Sequence, residues 1–417
     1  MTAPIEKPTE ESTMNEQSTT EQALSGVRVL DVSTVLAAPV AATILGDFGA
    51  EVVKVEEPGR GDFTRGGAAP DTGGRSLQWS QEGRNKSSVT INLRTERGRE
   101  ILRAMIPHFD IVITNYRPAT LDAWGMDPDT LQNINPRAVF VYLTGYGLTG
   151  PYRDRGAFDR IASAYSGLTY VSGYPDQEPV RAGYSVIDFM SAYMAAFAAM
   201  TALYHRDTRG GDGQVIDLAL YEPAFRASEN ALLNYSAFGV VRERMGNHNP
   251  FIVPASDFTT ADARRVSVHA GTDPLFRRLC DVMGKSEMGT DPRYSTTSAR
   301  IENQSELYPV VSDWIATHTA DHVVKLLSDA DVPAAPLMNV ADISADPHYR
   351  ARGTIVDVED PDYGAISMAA PLPHMSRTPG TIRSLGPRLG ADTDSVLRGL
   401  LGLTDSELEN LRHNDVI

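Results

Sequence analysis

The sequence predicts an α/β protein, and three observations carry that reading. Apolar runs rich in Val and Ile alternate with helix-favouring segments through the first half of the chain. The runs are almost uninterrupted, as in Gly26–Val32 and Ala138–Leu143, which is the composition of strands buried on both faces of a parallel sheet. Between Val180 and Glu222 a loop, an Ala-rich helix, a Gly turn and a further strand follow one another.

Met1 to about Ala23 is rich in Glu, Thr, Ser and Pro and reads as a disordered leader, residues 1–23. Gly26–Val32 is the first strand, and Ser33–Pro39 is a loop with Pro39 suited to a first helical turn. Val40–Phe48 is a short helix ended by Gly49, and Glu51–Glu56 is the next strand. Gly59–Gly83, crowded with Gly and Arg, reads as a long surface loop. Lys86–Asn92 is a third strand, and Thr95 caps a helix with Glu96 in its first turn. Ile111–Thr114, Ala138–Leu143 and Gln214–Leu220 add strands, with helices at Thr120–Asn133, Ala157–Leu168 and from Asp188 to Arg206.

After Glu222 the pattern becomes α+β. Pro223–Phe238 is helical, Met245–Pro254 a loop and Ala255–Ala270 a hairpin, with helices at Asp273–Met283, Ser305–His318 and Thr319–Ala330. Pro333–Met338 has linker composition. The tail ends in a helix at Thr404–Leu411, opened by a capping box of Thr404 and Glu407. These breaks divide the chain into a large domain at 24–225, a small inserted one at 226–338, and a return to the first at 339–417, since so short a tail makes a thin core alone.

Composition narrows the function. With 417 residues, 41% hydrophobic and 22% charged, the chain has material for two cored domains. A net charge of −16 argues against nucleic acid and anionic membranes as partners. Cys280 is the single cysteine, so no disulfide framework or thiolate metal cluster is expected, and a cytoplasmic setting fits. Asp188, His205 and Arg206 bracket the longest apolar stretch and are expected to leave it short of a membrane span.

Gly145-Tyr146-Gly147-Leu148-Thr149-Gly150 fits a dinucleotide fingerprint, but Pro151–Gly156 does not continue as a helix, so a turn is the better reading. His318 and His322 lack the Glu of a zinc-protease helix, and no metal site is expected. From Ala50 to Thr120, 11 Lys and Arg face 9 Asp and Glu, and Arg84, Lys86, Arg94, Arg97 and Arg117 are candidates for a polyanionic ligand or plain surface charges. Asp188 opens the Ala-rich helix. It reads either as a helix cap or as a carboxylate nucleophile held ionised by the helix N-terminus.

Five stretches then speak together: Leu24–Asp62, Gly83–Glu100, Thr114–Pro128, Tyr142–Leu168 and His205–Glu222. In order and content they resemble the class III (CaiB/BaiF-type) CoA-transferase family, which also contains α-methylacyl-CoA racemase; the likeness runs from about Leu24 to Ile417. The resemblance implies a Rossmann-like large domain built from both chain ends, an inserted small domain, and a homodimer of interlocked subunits. It implies an acyl-CoA and a small carboxylic acid as substrates, with no cofactor beyond the CoA thioester itself. The family nucleophile matches Asp188, and an acidic neighbour matches Asp159. CoA-contacting stretches match Leu36 and Ala37, Asn92, Leu93 and Arg94, Asn115, Tyr116 and Arg117, and Arg155, Gly156, Ala157 and Phe158. Phe158 stands where the racemases carry a basic His, so the resemblance favours the transferase branch; 2-methylacyl-CoA racemase is the alternative. Leu36 and the Met245–Pro254 loop depart from formyl-CoA transferase, and Glu57 and Ala123 fall where relatives use basic residues.

Overall fold

A computed structural model describes residues 22–66, 76–249 and 251–417, so most of the expected leader and part of the Gly-rich loop lie outside the described residues. Six strands form one parallel sheet: β1 (Arg28–Val32), β2 (Glu51–Glu56), β3 (Lys86–Thr90), β4 (Ile111–Thr114), β5 (Val139–Thr144) and β6 (Val215–Ala219). Their order is β3-β2-β1-β4-β5-β6, which reverses direction between β1 and β4. In such doubly wound sheets the crevice at the carboxyl ends of the two central strands is where ligands bind.

Alternate residues of each strand feed opposite faces. Val29, Ile111, Ile113, Val139 and Val141 pack on one side against the helices Ala37–Asp47 and Val186–His205. Both helices meet through Ala, which lets their backbones approach closely: Ala38, Ala41 and Ala42 on one, Ala192, Ala195, Ala196 and Ala199 on the other. Leu30, Val32, Val112, Phe140 and Tyr142 pack on the other side with Leu102 of the Glu96–Met105 helix. Leu397, Leu408 and Leu411, from the C-terminal helices Thr393–Leu401 and Asp405–His413, join that same cluster. The Thr404–Glu407 capping box is formed as expected.

A separate apolar cluster lies between Val253 and Val332. It covers a three-stranded antiparallel sheet of β7 (Ala255–Thr259), β8 (Arg265–His269) and β9 (Ala334–Pro336). A hairpin of β10 (Ile355–Asp360) and β11 (Gly364–Ala369) follows.

Several expectations are corrected. Ala334–Pro336, within the supposed linker, is a strand, because Ala334, Ala335 and Pro336 complete the open edge of β8. The helix expected at Pro223–Phe238 is two, Glu222–Arg226 and Ala231–Phe238, separated by Glu229 in a left-handed conformation at φ 56°. Thr120–Asn133 is likewise two helices, broken at Gly125 with φ 63°. The Val186–His205 helix, with the turn that follows it to Gly210, is long and apolar enough to cross a membrane by length and composition, because Asp188 enters the helix instead of ending the apolar run. Its Ala face is buried against the Ala37–Asp47 helix.

Candidate active site

The reversal point of the sheet is hollow. A cavity of about 370 Å³ is lined by Thr34, Val35, Leu36 and Ala37 after β1, and by Asn115, Tyr116 and Arg117 after β4. Arg155, Gly156, Ala157 and Phe158 close it, and Asp188 is the one acid lining it among the described residues. A second cavity of about 700 Å³ shares Thr34, Val35, Tyr116, Thr120 and Phe158 with the first and extends past Asn92, Leu93 and Arg94. One continuous groove thus gathers every residue that the family resemblance implied except Asp159.

Asp159 acts from behind. Its carboxylate accepts the N–H of Ile187 at 2.9 Å and so caps the helix that carries Asp188. Ser185 is the N-cap residue by position, yet its side chain caps nothing. Asp188 sits inside the first turn, and no hydrogen bond to its carboxyl group is formed among the described residues. The plain-cap reading of Asp188 therefore fails. The helix start also fails to hold it ionised: burial first, then the charge of Asp159, push the Asp188 carboxyl up to about 7. A carboxylate with that basicity is a better nucleophile than an ordinary Asp, at the expense of being half-protonated near neutrality. Activity that needs the anion should rise with pH to a plateau above about 7 in a pH–kcat/KM profile, and Asp159→Asn should move that midpoint down.

The basic residues divide. Arg84 is bound bidentately to Asp47, at 2.9 and 2.7 Å, and Lys86 is buried on Asp31 at 3.0 Å, so neither serves a ligand. Arg97 pairs with Glu100 at 2.8 Å, and Arg94 pairs with Glu57 at 2.7 Å, which offsets its charge inside the larger cavity. Arg117 and Arg155 form no ion pair among the described residues; Arg155 stacks 3.7 Å from the ring centroid of Tyr152. Arg117 lies so close over Gly156 that a Cβ there would collide with its guanidinium. Gly156→Ala should displace Arg117 and raise the substrate KM about tenfold, with a stability change within about 0.5 kcal/mol, as steady-state kinetics and thermal melts would show.

Two predicted contacts have other work. Asn115 spans the reversal point, accepting the Thr34 N–H at 2.9 Å and donating to the Thr34 carbonyl at 2.7 Å. Asn92 Nδ2 donates to the Asp415 carbonyl at 3.1 Å, and its Oδ1 accepts from the Arg94 N–H at 3.1 Å. Both side chains shape the walls. Ala123 does not line either cavity.

Beneath the groove lies a charge network that sequence reasoning missed. Lys54 Nζ is 3.5 Å from Asp31 and 3.1 Å from Asp62, and Arg65 grips Glu56 through two contacts of 2.7 Å. Its cations hold the Asp31, Asp62 and Glu56 carboxyls below their usual range although burial acts the other way. A Lys in the middle of an apolar strand, as in Glu51–Glu56, is the signal that could have found it, since a buried ammonium requires partners.

The chain matches the family described as CoA-transferase family III over residues 24–393. It is 41% identical over 403 residues to a succinyl-CoA–L-malate CoA-transferase beta subunit of Chloroflexus aurantiacus, covering 96% of this chain and 99% of that one. To a succinyl-CoA–D-citramalate CoA-transferase of the same organism it is 40% identical over 394 residues, covering 94% and 98%. Among solved structures, a CAIB/BAIF family protein from Brucella suis superposes with a TM-score of 0.80 at 32% identity, covering 91% of this chain and all of that one. The chain belongs to CoA-transferase family III, and it is an enzyme that transfers coenzyme A.

Proposed function

We propose that this enzyme moves CoA from succinyl-CoA or a similar donor to a small dicarboxylic acid, by way of covalent intermediates on Asp188. The observation that carries the reading is the placement of one acid, Asp188, in the cavity at the sheet's reversal point. The names of the malate and citramalate relatives support the substrate class. Arg117 and Arg155, which line the cavity and stand outside any ion pair among the described residues, are suited to anionic groups of the acid or of CoA.

Asp188 attacks the thioester carbonyl; the C–S bond breaks, leaving an acyl-aspartyl anhydride and CoA thiolate. The thiolate attacks the aspartyl carbonyl, expelling the donor acid and forming an aspartyl-CoA thioester. The acceptor carboxylate then attacks that thioester, and the released thiolate takes the new acyl group, freeing Asp188. Each step exchanges one acyl bond for another with no net proton or electron, so the cycle calls for no metal or redox cofactor. The rate must come from positioning and from stabilising the oxyanions. Donors for that are suggested by the Ala37–Asp47 helix, whose N-terminus bears no side-chain cap and whose first residues line the cavity.

The racemase alternative is disfavoured because Phe158 offers no base. We further propose the 24–225, 226–338 and 339–417 partition, supported by the C-terminal helices joining the large sheet's core. A Rossmann-like label, cytoplasmic residence and an interlocked homodimer belong to the same proposal. The exposed aromatics Tyr193, Phe197 and Tyr204 along the long helix support association. Incubation with succinyl-CoA should add a hydroxylamine-sensitive mass to the Asp188 peptide, and L-malate or a similar diacid should discharge it as a new acyl-CoA. An unlabelled Asp188 peptide in an exchanging enzyme would refute the covalent route.

A further inference from the structure

The loop between β1 and the Ala37–Asp47 helix is tied at three consecutive residues by three different polar groups. The Ser33 carbonyl accepts from Lys54 Nζ at 2.9 Å. Thr34 is held at both its N–H and its carbonyl by Asn115. Val35 donates its N–H to Asp62 Oδ2 at 3.1 Å.

Val35 is the reason such restraint is needed. Its φ is 69°, in the left-handed region that a β-branched residue avoids. A residue stays there only where its surroundings over-determine it, and such sites cluster at ligand clamps. Asp62 is built for that task. It is 5% exposed, accepts from the Thr64 N–H at 2.9 Å and Oγ at 2.7 Å, and lies 3.1 Å from Lys54 Nζ. Its own N–H is held by Glu56 Oε1 at 2.9 Å. Immediately after Val35 come Leu36 and Ala37, which line the Asp188 cavity at the uncapped helix start.

We infer that Asp62 is a positioning residue: its buried carboxylate holds Val35 left-handed, and so sets the backbone of Leu36 and Ala37 against the carbonyl that Asp188 attacks. The inference rests on the reading of Asp188 as the nucleophile. The rival role for Asp62, balancing the charge of Lys54, makes a different prediction about rescue.

Asp62→Asn should lower kcat for CoA exchange about 10- to 100-fold with KM for acyl-CoA little changed, the scale of one lost backbone restraint. Val35→Gly alone sets the reference rate for the double variant, since it trims a residue that lines the groove while letting the backbone keep its positive φ without strain. Adding Val35→Gly to Asp62→Asn should recover about tenfold of the loss. A double variant as slow as Asp62→Asn overturns the inference. Val35→Pro covers the case in which Asp62→Asn does not fold: it removes the N–H and forces φ near −65° while leaving the Lys54 network in place. A folded Val35→Pro enzyme with wild-type kcat overturns the inference as well. Failure of the nucleophile reading shows separately, as absence of the Asp188 adduct in wild type. Even then, about tenfold faster hydrogen exchange of the Val35 amide in Asp62→Asn than in wild type supports the clamp, and unchanged exchange overturns it.

Discussion

Asp188→Ala should abolish CoA transfer, with kcat falling on the order of 10⁴-fold or more, as the proposed covalent route through that carboxylate requires. Acyl-CoA affinity and the circular dichroism spectrum should be unchanged, because the Asp188 carboxyl group makes no hydrogen bond among the described residues. Stability carries a further signature. The folded carboxyl is pushed up to about 7, so the folded state holds a proton between about pH 4 and 7 that the unfolded state has released. Folding stability from this group therefore declines as pH rises through that window. Asp188→Asn should be the more stable protein at pH 8, by about 2 kcal/mol, with the difference fading toward pH 4. Denaturant melts at the two pH values measure it; a variant less stable than wild type at pH 8 would contradict the desolvated carboxylate.

Lys54→Met should cost about 3–5 kcal/mol in a urea or thermal melt, the penalty for leaving buried charges without a partner. Lys54 has no exposed surface, and its removal strips Asp62 of its cation and leaves Asp31 with Lys86 alone. Asp31 and Asp62 have folded-state pKa values held below the usual range, so the stability they contribute is present above about pH 4 and is lost as pH falls through their folded values. The deficit of Lys54→Met should accordingly be largest at neutral pH and narrow in acid. A deficit that is constant from pH 7 to 3 would mean that packing, not charge, is what Lys54 supplies.

What could be read in advance follows from how local the signal was. β4 and β5 were plain because both faces of each are buried and their apolar runs have no polar interruption, and β1 and β2 were plain despite the single charges Asp31 and Lys54 within them. The Thr404–Glu407 and Thr95 caps were equally plain, being contacts within one turn. Ala334–Pro336 was hidden because its strand exists only through pairing with β8, 66 to 70 residues earlier in sequence by the Val266↔Pro336 to Val268↔Ala334 register. At the site, Asp188 and the cavity-lining stretches were recovered through family resemblance, whereas its protonation was misjudged. The sequence showed the favourable helix start but not the desolvation and the charge of Asp159 that outweigh it. Lys86 was taken for a ligand candidate because charge in a strand looks like surface until its neighbours Asp31 and the Pro39 carbonyl are known.

The bridging of Thr34 by Asn115 has a consequence for how new acids could come to be accepted. With the segments after β1 and β4 stapled together, that side of the groove has little room to drift. Exposed Phe158 and its neighbour Arg155 carry no comparable tether among the described residues. Divergence toward a different acceptor acid is therefore expected to proceed by changing the Arg155–Phe158 side, with the opposite wall inherited intact.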